Sequence, residues 1–225
     1  MDRNKLLEIA KPILFNTDMV RAILEDRKTE TRRLIKPPYF VAGDEDDPRS
    51  LQALRTAPKG SQIYIKIGRM PYPQDPYKIG SYMYVRETWC SYDKDHIIDN
   101  VKYAYKANET AESEQMRKEY GYKWHPSIHM PKEAARIFLK VTDVRVEKLQ
   151  DITEEQADKE GCINSFGFIR SYDNEYDIPH TARQDFITIW DSTVPKKELD
   201  QYGWEANPWV WVIEFKRVEV PDESI

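Results

Sequence analysis

Trp209-Val210-Trp211-Val212-Ile213-Glu214-Phe215-Lys216 is the stretch that decides the fold class. In an extended chain successive side chains leave on opposite faces. Trp209, Trp211, Ile213 and Phe215 therefore share one face, and Val210, Val212, Glu214 and Lys216 the other. This predicts a strand central to a strongly bent, barrel-like sheet, with Trp209 or Trp211 largely buried. Upstream, Ile137, Leu139 and Val141 alternate, and Val144 and Val146 alternate out of phase, as in one strand bulged near Thr142-Asp143. Tyr82 to Trp89, the Ile63, Ile65, Ile67 alternation, Pro12 to Phe15 and Val101 to Ala107 supply further strands, and Lys28 to Ile35 reads as extended.

Short helices separate these strands. Asn16 or Thr17 can cap a helix with Met19, Val20, Ile23 and Leu24 on one face, ending near Arg27. Thr153-Glu154-Glu155-Gln156 matches a capping box, with Gly161 where a helix C-terminus wants it. A helix from about Thr181 to Trp190 is expected to bury Ala182, Phe186 and Ile189. Residues 43 to 62 and 70 to 76 read as loops. Residues 109 to 131 read as mostly irregular, with Glu109, Glu112, Glu114 and Glu119 a solvated acidic helix face. Strands without regular β-α alternation indicate an α+β class: a small β-barrel or bent sheet with short helices. No Gly-rich phosphate loop is present among the eight glycines.

The chain has 225 residues, 12% of them aromatic, enough for a sizeable core. No apolar run approaches the roughly 20 residues of a membrane helix, and Met1-Asp2-Arg3-Asn4-Lys5 lacks the apolar stretch of a secretory signal, so a cytoplasmic protein without a membrane partner is expected. Cys90 and Cys162 read as reduced thiols. A net charge of -5 argues against coating a duplex by bulk electrostatics. Residues 21 to 40 nevertheless carry six basic side chains against three acidic ones, leaving room for a local basic groove.

His125 and His129 are four apart, but Pro126 between them spoils helical metal spacing, so no metal site and no cofactor is expected. The Lys28, Thr29, Thr31 cluster carries more chemistry. A hydroxyl becomes a useful nucleophile when a neighbouring base takes its proton, and a Lys whose pKa burial lowers can be that base. Strand alternation sets Lys28 and Thr31 on opposite faces, so the two meet only if the chain bends where the helix ends. Glu160 stands at the unfavourable negative end of a helix dipole. Arg86 and Glu87 face opposite sides of an apolar strand, so one of them calls for an internal partner or a ligand.

Together, Pro12-Ile13-Leu14-Phe15, Arg27-Lys28-Thr29-Glu30-Thr31-Arg32-Arg33, Gly80 with Val85-Arg86-Glu87-Thr88-Trp89, and Val212-Ile213-Glu214-Phe215-Lys216 resemble an ASCH domain of the PUA-like superfamily. The segments Pro126 to Pro131, Val141 to Val144 and Asn207 to Val212 are similar to long ASCH proteins of phages and prophages. The resemblance implies one PUA-like domain over residues 1–225, a β-barrel with insertions near 40–78, 109–130 and 164–205 and a cleft for RNA or nucleotides. In the bacterial N4-acetylcytidine amidohydrolases of this group a Lys, a Thr and a Glu do the work. Their motif falls on Lys28 and Thr31, their Glu on Glu160 and the following Arg on Arg33. Asp26 stands where the family has Gly. The implied function is RNA or modified-nucleoside binding, with hydrolysis of an amide on a base. Lys28, Thr31 and Glu160 would be catalytic; Arg33, Arg86, Glu87 and Trp89 would hold substrate. The alternatives are a non-catalytic RNA-binding module, a ribonuclease, or a phage protein that binds a host partner.

Overall fold

The computed structural model describes residues 1–36, 39–42, 62–65, 77–92, 102–162 and 181–220. In chain order the elements are α1 (Arg3–Ile9), β1 (Lys11–Leu14), α2 (Thr17–Leu24), β2 (Glu30–Leu34), β3 (Tyr39–Ala42), β4 (Gln62–Ile65), β5 (Tyr82–Arg86), β6 (Trp89–Ser91), β7 (Tyr103–Tyr105), α3 (Ala111–Glu119), β8 (Phe138–Lys148), α4 (Glu154–Lys159), α5 (Ala182–Thr193), α6 (Leu199–Tyr202) and β9 (Trp209–Val218).

Side-chain caps start most of the helices. Asn16 Oδ1 accepts from Met19 N at 2.8 Å to open α2. Capping boxes pair Thr110 with Ser113 at α3, Thr153 with Gln156 at α4 and Thr181 with Gln184 at α5. The helix α3 bears the expected acidic helix face within a segment read as mostly irregular; Thr110 and Ser113 satisfy its first orphan donors without the usual Glu or Gln. The helix α2 stops at Leu24, short of Arg27, because Asp26 turns into the left-handed region with φ 55°. On α5 Ala182 and Phe186 are buried as expected, Ile189 is half-buried, and Asp185 and Trp190 are buried as well.

The expected strand from Tyr82 to Trp89 is broken in two. Glu87 N donates to Met130 Sδ at 3.2 Å and leaves the ladder, so β5 ends at Arg86 and β6 begins at Trp89. The expected Val101 to Ala107 strand shortens to β7 and runs on as a 3-10 turn over Lys106–Asn108. The loop expected over 43–62 lies outside the described residues except for Gln62, which begins β4 instead; the loop over 70–76 and Ile67 lie outside them.

Five strands form a mixed sheet in the order β1-β5-β8-β9-β2. The β1–β5 pair is parallel, β5–β8 and β2–β9 are antiparallel, and β3–β4 and β6–β7 form separate two-stranded pairs. The expected barrel is not closed, since β1 and β2 remain at opposite ends of the order. On β9 Val210, Trp211, Val212 and Ile213 are all buried, so consecutive residues are covered on both faces of the strand. Trp211 is buried as expected.

The chain forms two compact units. Unit 1 takes Met1–Arg27, Gly80–Val141 and Phe215–Ile225, with a core of Leu6, Ala10, Tyr84, Tyr103, Met130 and Phe138. Unit 2 takes Lys28–Ile79 and Thr142–Glu214, and packs Phe186, Trp190 and Trp204 against Val210, Val212, Leu149 and Ile152. The described part of the expected 164–205 insertion is thus no appendage, because its aromatic side chains fill the core of unit 2. The change of unit within β8, between Val141 and Thr142, coincides with the expected change of phase: Leu139 and Val141 are buried, then Val144 and Val146. No helix among the described residues is long and apolar enough to cross a membrane.

Candidate active site

The helix α4 ends against the start of β2. Thr29 N donates to the Lys159 carbonyl at 2.8 Å, and this bond sets Lys28 at the C-terminal end of the helix. Lys28 Nζ donates to the Glu160 carbonyl at 2.7 Å and to Glu160 Oε2 at 2.5 Å. Lys28 is 3% and Glu160 5% exposed. A cation at a helix C-terminus satisfies both the dipole and the orphan carbonyls, which answers the unfavourable position of Glu160 read from the sequence. Burial lowers the Lys28 pKa, Glu160 opposes that shift, and the nearby Arg33 charge adds to it.

Glu160 also faces Arg32, whose Nη1 lies 3.3 Å from Oε1. Arg32 Nη1 donates to Glu30 Oε1 at 2.6 Å, and Arg145 Nη2 to Glu30 Oε2 at 2.6 Å. Arg145 further donates to Glu214 at 2.6 Å and to Glu147 at 2.5 Å. Glu30 and Glu214 are direct partners across β2 and β9, a like-charge pair that would be repulsive without the guanidinium between them. Three cations and four carboxylates thus form one network within unit 2. The sequence reading missed Arg32, Arg145, Glu30 and Glu147. The signal for them was there: Glu30-x-Arg32 and Arg145-x-Glu147 each place opposite charges on one face of a strand.

Thr31 is buried on β2 opposite Ile213, on the strand face away from Glu30 and Arg32. Arg33 shares the Thr31 face, is half-buried, and has its pKa lowered by burial while Tyr77 and Glu160 oppose the shift. The structure therefore brings Lys28, Glu160 and Arg33 into one electrostatic neighbourhood, with Thr31 three residues along from Lys28. Cys162 lies beside the pair, buried, its thiol pKa pushed up to about 12 by burial and then by Glu160.

The other candidates lie in unit 1. Glu87 is 1% exposed and takes Arg136 Nε and Nη2 on its two oxygens, both at 2.9 Å. Arg136 is thus the internal partner that the buried charge required. Burial raises the Glu87 pKa and Arg136 pulls it back. Arg86 Nη2 donates to the Ile128 carbonyl. Trp89 packs edge-on to Tyr103 at 5.8 Å and against His125 at 5.0 Å between ring centroids. Among the described residues no cluster of three or more His, Cys, Asp or Glu could hold a metal ion.

Comparison with protein-family models, with curated proteins and with solved structures finds no match to this chain.

Proposed function

We propose that the chain is an RNA- or nucleotide-binding protein of ASCH type whose unit 2 hydrolyses an amide on a modified base such as an N4-acylated cytidine. The observation that carries this reading is the buried Lys28–Glu160 pair, assembled from positions 132 apart and three residues before Thr31. Surface binding of phosphate needs an exposed Lys, and this one is almost wholly removed from water. Burial lowers the Lys28 pKa and so favours the neutral amine that a general base must be.

The pair supplies the groups that amide hydrolysis requires. Lys28 Nζ, as the amine, takes the proton of the Thr31 hydroxyl as its oxygen attacks the acyl carbonyl and passes it to the departing exocyclic amine, which Glu160 orients. Water then cleaves the acyl-threonine ester, which returns the hydroxyl and releases the acid. Arg33 would steady the sugar, phosphate or base edge.

The test is turnover of a panel of N4-acylated cytidines by the wild type, Lys28→Met, Thr31→Ala and Glu160→Gln, with folding checked by circular dichroism. Hydrolysis by the wild type, lost in each folded variant, is expected. Binding of RNA without turnover, weakened in Lys28→Met, would replace the hydrolase with a binding module.

A further inference from the structure

Arg32 stands beside the Lys28–Glu160 pair, and the chemistry proposed above gives it no part. Its side chain is fully buried. A guanidinium stays charged even inside a protein and calls for several acceptors at once. Arg32 finds them on three elements of unit 2. Nη1 donates to Glu30 Oε1 at 2.6 Å on its own strand and to Glu160 Oε1 at 3.3 Å at the end of α4, and Nη2 donates to Glu147 Oε2 at 3.4 Å on β8. Its Cζ also lies 5.8 Å from the ring centroid of Phe186 on α5.

The two oxygens of Glu160 are therefore divided between two cations. Oε2 takes Lys28 Nζ at 2.5 Å, and Oε1 takes Arg32. A second cation on the same carboxylate keeps Glu160 from turning both oxygens onto Lys28. It also repels the ammonium across the carboxylate. Both effects favour the neutral amine, in the same direction as burial and the Arg33 charge. Cys162 acts on Lys28 as well, and Asp185 and Asp158 act on that thiol.

We infer that Arg32 is a positioning residue for the Lys28–Glu160 pair: anchored by Glu30 and Glu147, it takes one oxygen of Glu160 and makes Lys28 give up its proton more readily. The catalytic consequence rests on the amide-hydrolysis reading; the effect on Lys28 does not. Glu30 works against Arg32, because it draws off the same Nη1. Loss of Arg32 leaves Glu160 to Lys28, whereas loss of the Glu30 charge frees Arg32 for Glu160. The two changes act on Lys28 with opposite signs, which a general loosening of the site would not produce.

The experiment titrates the Lys28 side chain by NMR in the full-length chain with isotope-labelled lysine, assigned by through-bond correlation to its backbone, in the wild type, Arg32→Met and Glu30→Gln. It then follows kcat and KM on an N4-acylated cytidine against pH. Arg32→Met leaves each carboxylate a cation, since Glu30 and Glu147 keep Arg145 and Glu160 keeps Lys28. Should it still fail to fold, Glu30→Gln carries the test. The Lys28 pKa is expected to rise by about one unit in Arg32→Met and to fall in Glu30→Gln. Below the native Lys28 pKa, kcat of Arg32→Met should be about tenfold lower than that of the wild type, with KM within about twofold, and the two should converge at high pH. A Lys28 pKa that stays or falls in Arg32→Met, one that stays or rises in Glu30→Gln, or a kcat lowered equally at every pH overturns the inference. No turnover by the wild type, with both pKa shifts as expected, overturns the amide-hydrolysis reading and leaves the positioning role of Arg32 standing.

Discussion

Lys28 Nζ binds Glu160 twice, through the side-chain Oε2 at 2.5 Å and through the main-chain carbonyl at 2.7 Å. One ammonium therefore neutralises a buried carboxylate and closes the end of the helix that carries it. The proposed chemistry and the stability of the chain both rest on this contact, and each can be measured separately.

Removing either partner strands the other charge inside unit 2. Glu160→Ala should cost about 3 to 5 kcal/mol in urea unfolding at neutral pH. The double variant Lys28→Met/Glu160→Leu should be more stable than Glu160→Ala, because no buried charge is left unpaired. A cycle in which the two single losses simply add would show that the pair is not coupled.

The direction of the Lys28 shift sets a pH dependence. Its native pKa lies below the unfolded value of about 10.4, so between the two the unfolded state binds more protons and stability rises with pH. Below the native pKa the penalty is fully present. Under the hydrolase proposal, turnover on an N4-acylated cytidine should climb as the pH rises through the native pKa of Lys28 and level off above it, since the base must be neutral. A rate that shows no such rise would remove Lys28 from the role of base.

Asp26 offers a stabilising change. A side chain at φ 55° is strained by roughly 1 kcal/mol, which glycine avoids. Asp26→Gly loses the exposed ion pair to Arg217 at 3.2 Å, worth little, and should still raise the unfolding midpoint. Asp26→Ala should lower it, as it keeps the strain and loses the polar side chain that tolerates this conformation.

Arg145 ties Glu30, Glu147 and Glu214 together. Arg145→Met should destabilise the chain by about 3 kcal/mol at pH 7, because it leaves the buried Glu30 with Arg32 alone. Denaturation at about pH 4, where carboxylates begin to take up protons, should show a smaller difference from wild type. An equal loss at both pH values would mean that Arg145 matters for packing instead.

Both thiols are buried, and Cys162 has its pKa raised to about 12. A thiol reagent should label neither cysteine in the native chain and both in urea, with native labelling no faster than unfolding. Rapid native labelling of Cys162 would place it in contact with solvent.

Much of this was legible because it is local. The strand over residues 209 to 215, the Thr153 and Thr181 caps and the turn at Gly161 depend on neighbours a few positions away, and all are present. The start of α3 was hidden because Ser113, a weaker helix former, stands where a capping box has Glu or Gln. The break after β5 was hidden because it depends on Met130 and Arg136, more than 40 residues on. Lys28 and Glu160 were suggested by a family resemblance, whereas spacing alone set no distance between them. Arg145 and Glu30, 115 positions apart, bond by tertiary pairing that no sequence window contains.

The dispersed make-up of the two units has a consequence for synthesis. Unit 1 draws on residues 1 to 27 and 215 to 225, and Lys28 must wait for a partner 132 residues downstream. At the roughly 5 to 20 residues per second of a ribosome, that wait lasts on the order of ten seconds. Throughout it the nascent Lys28 stays hydrated and charged, and α2 has no completed unit to dock on. Unit 2 has all its residues once Glu214 is made and unit 1 only after that, so neither forms early in synthesis. The nascent chain instead acquires its charged interior only after nearly all of it has left the exit tunnel, and a chaperone that shields the early segments would act in that interval.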